Sequence, residues 1–243
     1  MKQEQEKLAG GEIVIQNRFL RWLDNFWYHY KWPTLIIAFF LLIGLICFTQ
    51  CIGGEDTDLT VAYAGGAVLS GEEQLAVGDV LGMLLATEEM PGGKSLALHT
   101  FPIYDEEQTR ALSTDEEGVF SPYAFNSLKQ ASADNLGQMS SFVKTGEGAI
   151  WLVSPYVYET LSLSARAVPL SELFESEPEA AYDSHAIRLA DTELYRYYDI
   201  LKCLPEDTLV LLPRALVVGE SSDAETYATF EALFCAIVEF RQP

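Results

Sequence analysis

Ala149-Ile150-Trp151-Leu152-Val153 is five apolar residues in a row, with Gly146-Glu147-Gly148 before it and Ser154-Pro155 after it. A strand with one wet face alternates apolar and polar residues. A short unbroken apolar run between turn residues fits a strand covered on both faces. Such a strand sits in the middle of a sheet, with helices packed above and below it. The flanks supply those helices. Ser121-Pro122 is a cap followed by proline at the first helical position, and Phe125, Leu128, Leu136, Met139 and Val143 mark one face of a long helix that ends at Gly146. Ser132 falls on the same face and is small enough to be accommodated there. On the other side, Ser154-Pro155 opens a short helix to about Leu163.

Farther out, four more strands are expected. Leu59–Tyr63 alternates and is bounded by Asp58 and Gly65-Gly66; Leu96–Tyr104, Ala186–Ala190 and Thr208–Leu212 complete the set. Pro102 marks a strand end or an edge position. Ser70-Gly-Glu-Glu73 is a capping box opening a helix to about Ala86. Asp191 is expected to cap a helix carrying Leu194, Tyr197, Tyr198 and Leu201. Ser222-Asp-Ala-Glu225 reads as a second capping box before an amphipathic helix with Phe230, Leu233, Phe234 and Ile237. Residues 168–174 are read as loop or a helical turn, and 175–182 as an exposed acidic stretch. Residues 105–118 are rich in carboxylates but lack the calcium-loop pattern of alternating Asp or Asn with a central Gly and a terminal Glu, so a solvated loop is expected. Strands alternating with helices give an α/β domain over 58–243, with a mixed, mostly parallel sheet flanked by helices.

A second stretch places this domain. Residues 34–52, from Thr34 to Ile52, are 19 residues without a charge. As a helix they reach roughly 28 Å, enough to cross the hydrocarbon core of a bilayer. The preceding 33 residues are too long a head for a secretory signal, no Ala-x-Ala site follows, and neither Cys47 nor Cys51 is preceded by the small residues of a lipoprotein signal. An uncleaved, single-pass signal anchor is the expectation. Arg18, Arg21 and Lys31 precede the span, and Glu55, Asp56 and Asp58 follow it. The positive-inside rule then makes residues 1–33 a cytoplasmic tail and the large domain extracellular, joined by a linker over 53–57. Trp27, Tyr28, Tyr30, Lys31 and Trp32 are expected at the membrane interface. Two readings of this aromatic segment stay open: a belt that fixes the depth of the span, or an interfacial helix that docks a membrane-protein partner.

Charge narrows the partners. The chain has 243 residues and a net charge of −21, with 10 basic and 32 acidic groups after residue 54. An outer domain so acidic repels phosphates, so no nucleic-acid partner is expected. The expected partners are the lipid bilayer through residues 34–52, a small-molecule or peptide ligand, and a membrane protein. Cys203 and Cys235 are read either as a bridge or as two buried free thiols.

The chemistry-bearing motifs are few. Nucleophile elbow, His-Glu-x-x-His helix and phosphate-binding loop are all missing from the sequence. His99, inside an apolar strand, reads as a structural histidine; His185 stands alone. No cofactor, no metal and no catalytic residue is expected, and the chain is not read as an enzyme. The best site candidate is the turn after the first strand together with the turn after the Trp151 strand. If those strands are neighbours, Gly65, Gly66, Ser70, Ser154 and Tyr156 line one crevice at the carboxyl ends of the strands, where open α/β sheets bind ligands. The competing reading is two ordinary capped strand-to-helix turns.

Phe142–Tyr156, continuing through Val168-Pro-Leu-Ser-Glu172, resembles a stretch of bacterial type II extracellular solute-binding proteins. There a helix ends at Gly, an acid follows, an apolar strand ends in a small polar residue, and a short helix leads to a Pro-Leu pair. Leu59–Tyr63 with the helix after it is similar to that family's first strand and helix. The resemblance implies a periplasmic-binding-protein-like domain of one lobe, or a reduced pair, with a binding role. Trp27-Tyr-x-Tyr-Lys-Trp-Pro33 before the span is similar to a segment of single-pass membrane proteins of Gram-positive bacteria, a likeness that implies location and fold without an activity. The expected function is therefore a membrane-anchored extracellular binding or sensing domain. The alternative is an accessory or assembly subunit docking through the aromatic tail and the span.

Overall fold

The computed structural model describes residues 28, 30–45, 58–87, 92–216 and 222–242. The chain divides into two compact units, Met1–Glu55 and Asp56–Pro243. In the first, residues 30–45 are helical, and Tyr28, Tyr30, Trp32 and most of the apolar residues that follow are exposed. Among the described residues no helix is long and apolar enough to cross a membrane. The expected span is helical over 34–45. Its remainder, 46–52, lies outside the described residues, as do Trp27 and the linker 53–57.

The second unit is an α/β domain built on five strands: β1 (Leu59–Gly65), β2 (Leu96–Pro102), β3 (Ile150–Val153), β4 (Ile187–Arg188) and β5 (Leu209–Leu211), in the spatial order β2-β1-β3-β5-β4. All five correspond to the apolar runs read from the sequence, and the Trp151 strand is the middle one, buried at every residue. β1 pairs in parallel with both β2 and β3. β5 runs antiparallel to β3 and to β4, so four strands point one way and the sheet is mixed. Pro102 closes the edge strand β2, where its missing N–H breaks no ladder.

Period-two alternation sorts the sheet residues onto two faces. Val61 and Tyr63 of β1, Ile150 and Leu152 of β3, and Val210 of β5 face one core. Over that core lie α1 (Gly71–Met83), through Val77, Val80 and Leu81, and α7 (Ala224–Val238), through Phe230, Leu233, Phe234 and Ile237. Ala62, Ala64, Trp151, Val153, Leu209 and Leu211 face the opposite core. It is covered by α3 (Pro122–Thr145), through Met139, Phe142 and Val143, and by α4 (Pro155–Thr160), through Val157 and Tyr158. Trp151 needs the small Ala62 and Ala64 beside it on this face. Each large side chain fully buried in such a core stabilises by about 1.5–3 kcal/mol.

The remaining elements are short. They are α2 (Glu106–Leu112), α5 (Leu170–Leu173) and α6 (Glu193–Tyr197), with 3-10 turns at 163–166, 189–191 and 199–203. α3 begins at Ser121-Pro122 and stops at Gly146, which takes φ 70°. That left-handed value suits glycine and ends the helix.

Four expectations are corrected. Residues 105–118 are not one solvated loop, because Asp105 caps α2 and forms a reciprocal box with Gln108. The helix also turns Thr109 inward, where it is buried. Asp223, rather than Ser222, caps α7, taking the Thr226 N–H at 2.8 Å. Thr192, rather than Asp191, caps α6, because the 3-10 turn 189–191 occupies the place where the helix was expected to start. Finally, His99 is exposed, not enclosed. It sits on the edge strand, where its ring centroid lies 6.0 Å from that of Phe142. Cys203 and Cys235 are both free, and burial raises the pKa of each thiol.

Candidate functional site

The three parallel strands β2, β1 and β3 end at one edge of the sheet, and the turns after them meet there. The chain leaves β1 toward β2 on one side and returns to β3 on the other, so the β1–β3 boundary is the crevice where sheets of this kind take ligands. The strands expected to be neighbours are neighbours: Ala64 stands opposite Val153, and the Ser154 N–H donates to the Ala64 carbonyl at 2.9 Å.

The turn after β1 is nevertheless filled by the protein itself. A side chain added at Gly65 would meet the Tyr63 Oη at 2.8 Å, and one at Gly66 would meet the Gln108 amide at 2.8 Å. Tyr63 is buried, and its phenol oxygen accepts the Ala67 N–H at 3.1 Å. Burial pushes the Tyr63 pKa up to about 12 against the small opposing effect of that hydrogen bond. Ser70 gives its Oγ proton to Glu73 at 2.8 Å and accepts the Glu73 N–H at 3.3 Å. These bonds hold the Glu73 carboxyl below its ordinary range. Ser154 accepts the Val157 N–H at 3.4 Å as the cap of α4. So Gly65, Gly66, Ser70 and Ser154 share the edge, but Tyr63 and Gln108 take the space at the two glycines, and the two serine oxygens cap their own helices.

Tyr156, the fifth candidate, behaves differently. It is 41 % exposed and lines a cleft of about 340 Å³ between α2, α3 and α4. The floor is apolar, made by Ile103, Phe125 and Leu136. Polar groups come from Tyr104, Asp105, Glu106, Thr109, Lys129 and Ser132. The position follows from local structure. Ile103 makes the last bond of β2 to β1, through its N–H to the Gly65 carbonyl at 2.9 Å, Tyr104 follows, the Asp105 cap starts α2 at once, and α3 returns across the same edge.

Two bonds tie α3 to the end of β2. The Tyr104 N–H donates to Ser132 Oγ at 3.0 Å, and Asn135 donates to the Pro102 carbonyl at 2.7 Å. Ser132, noticed in the sequence as a small polar residue on an apolar face, is thus an acceptor for a strand-end N–H. Lys129, Glu106 and Thr109 were not foreseen. The readable signal was Asp105-x-x-Gln108, a capping box hidden in a run of carboxylates.

Nothing in the cleft resembles a nucleophile and base pair, and among the described residues no group of three His, Cys, Asp or Glu side chains is placed to hold a metal ion. Beside it, the Tyr158 hydroxyl donates to Asp183 at 2.5 Å, and Asp183 also accepts the His185 and Ala186 N–H groups. Burial, then Asp183, raises the Tyr158 pKa. That network locks the segment before β4. Compared with models of known protein families, with curated proteins and with solved structures, the chain matches none.

Proposed function

We propose that this chain is a membrane-anchored binding or sensing protein: residues 34–52 hold it in the bilayer with residues 1–33 cytoplasmic, and the α/β domain takes a small ligand outside the cell. The resemblance to one lobe of a type II extracellular solute-binding protein is part of this proposal. The observation that carries it is the cleft beside Tyr156. It lies at the carboxyl edge of the parallel strands, has an apolar floor, and displays the charged groups of Glu106 and Lys129, which form no ion pair among the described residues. No catalytic role is proposed for it. The uncharged run 34–52 and the basic residues before it support the anchoring.

Thermal unfolding of the full chain in mild detergent, against amino acids, peptides, sugars and metal ions, tests the binding role. A ligand at a hundred times its dissociation constant adds about 2.7 kcal/mol, a rise of a few degrees. A shift confined to one compound class, and lost when Ala133→Trp fills the cleft, is the expected result. A flat panel would overturn it. The second reading, an accessory subunit of a membrane complex, would then take its place. It is favoured by the exposed Tyr30 and Trp32 beside the span, and it predicts a co-purifying membrane protein lost when residues 13–52 are exchanged.

A further inference from the structure

We propose that the cleft selects a zwitterion with an apolar side chain, of the size of one free α-amino acid; the proposal rests on the binding role above and names the ligand class. Its two walls carry opposite charge. Glu106 stands on the α2 wall and Lys129 on the α3 wall, both exposed. Among the described residues the ion pairs are Lys202–Asp199, Arg214–Glu172 and Arg241–Glu193, so Glu106 and Lys129 are joined neither to each other nor to another charge. Opposite charges held apart across a cleft leave room for a ligand that carries both.

A deeper donor fixes the orientation. On α3, the Ser141 and Thr145 hydroxyls give their protons to the carbonyls four residues back, at 3.1 and 3.0 Å. Ser132 does not. It is 8 % exposed, accepts the Tyr104 N–H, and has no acceptor for its own proton among the described residues. That proton is left free at the cleft wall, where a ligand oxygen can accept it. Ser132 lies three residues from Lys129 and therefore on the same helix face. Together they suit a carboxylate, with Glu106 opposite for an ammonium group, and Ile103, Phe125 and Leu136 beneath an apolar side chain.

Each half of the zwitterion is needed. A simple anion meets the field of a chain with 22 more acidic than basic groups after residue 54. A simple cation leaves the Lys129 ammonium facing it and the Ser132 proton unmet. The volume, about 340 Å³, is at the small end for ligand sites, which favours a single amino acid over a peptide.

Calorimetric titration of the full chain in mild detergent with L-phenylalanine, L-leucine, 3-phenylpropionate and phenethylamine tests this. One of the two amino acids should bind at least about tenfold more tightly than either singly charged compound. Lys129→Met should erase its advantage over phenethylamine, Glu106→Gln its advantage over 3-phenylpropionate, and Ala133→Trp all binding. If a singly charged compound binds as tightly and Ala133→Trp still abolishes it, the ligand class is wrong and the binding role stands. If an amino acid binds with no loss in any variant, the site is wrong. If none of the four binds, the inference is overturned, and the broader thermal panel decides whether the binding role falls with it.

Discussion

Two corners at the same edge of the sheet have opposite fates. The corner after β1 has the sequence marks of a ligand turn: paired glycines, a serine cap and the start of a helix. In the fold it is closed, because the Tyr63 phenol lies against Gly65 and the Gln108 amide against Gly66. The corner after β2 has marks of an ordinary solvated loop, yet it carries the open cleft, with Lys129, Glu106 and the proton of the Ser132 hydroxyl uncommitted. Glycine reports that something approaches the backbone closely. It does not report whether that object is a ligand or the protein's own side chain.

The sharpest way to break this contrast is Gly65→Val. Tyr63 is 1 % exposed and cannot swing aside as a surface side chain would. Added carbon at Gly65 should destabilise by about 3 kcal/mol, at the upper end of overpacking, measured by urea unfolding of the full chain in detergent. A change below about 1 kcal/mol would mean that the corner has slack and was wrongly described as filled.

The second test uses pH. Burial raises the folded Tyr63 pKa from 10 to about 12, so the neutral phenol is the folded form. Its contribution is complete below pH 10 and is lost as the pH rises through about 12. Across that window the natural chain should lose about 2 kcal/mol more stability than Tyr63→Phe, which has no proton to release there. Parallel pH profiles for the two proteins would show that Tyr63 is not held as described.

The smallest expected effect is Ser70→Ala. Removing the cap of α1 should cost about 1 kcal/mol. It should leave ligand binding at the cleft unchanged, because Ser70 is committed to Glu73. Weakened binding in this variant would reopen the corner after β1 as the site.

Much of the fold was legible because local rules sufficed. An unbroken apolar run marked the middle strand and its two covered faces, and Ser121-Pro122 and Gly146 marked the ends of α3. α2 was missed because seven carboxylate-rich residues lack a long apolar period; only the Asp105 and Gln108 box marks it. The caps of α6 and α7 were each misplaced by one residue. Asp, Ser and Thr neighbours offer similar oxygens, and the path of the entering chain selects among them.

The sequence by itself determined the five strands, the long helix and the two-sided core, because periodicity and caps act within a few residues of one another. It also determined that residues 34–52 are uncharged and that the chain after residue 54 is strongly acidic. Tertiary structure alone decided that β5 runs against its neighbours, that Tyr63 and Gln108 fill the glycine corner, and that Glu106 and Lys129 face a common cleft. Those outcomes depend on side chains brought together from distant parts of the chain. Gln108 lies 42 positions from the Gly66 it closes, and Tyr156 lies 53 positions from Ile103 across the cleft, beyond the reach of any local pattern.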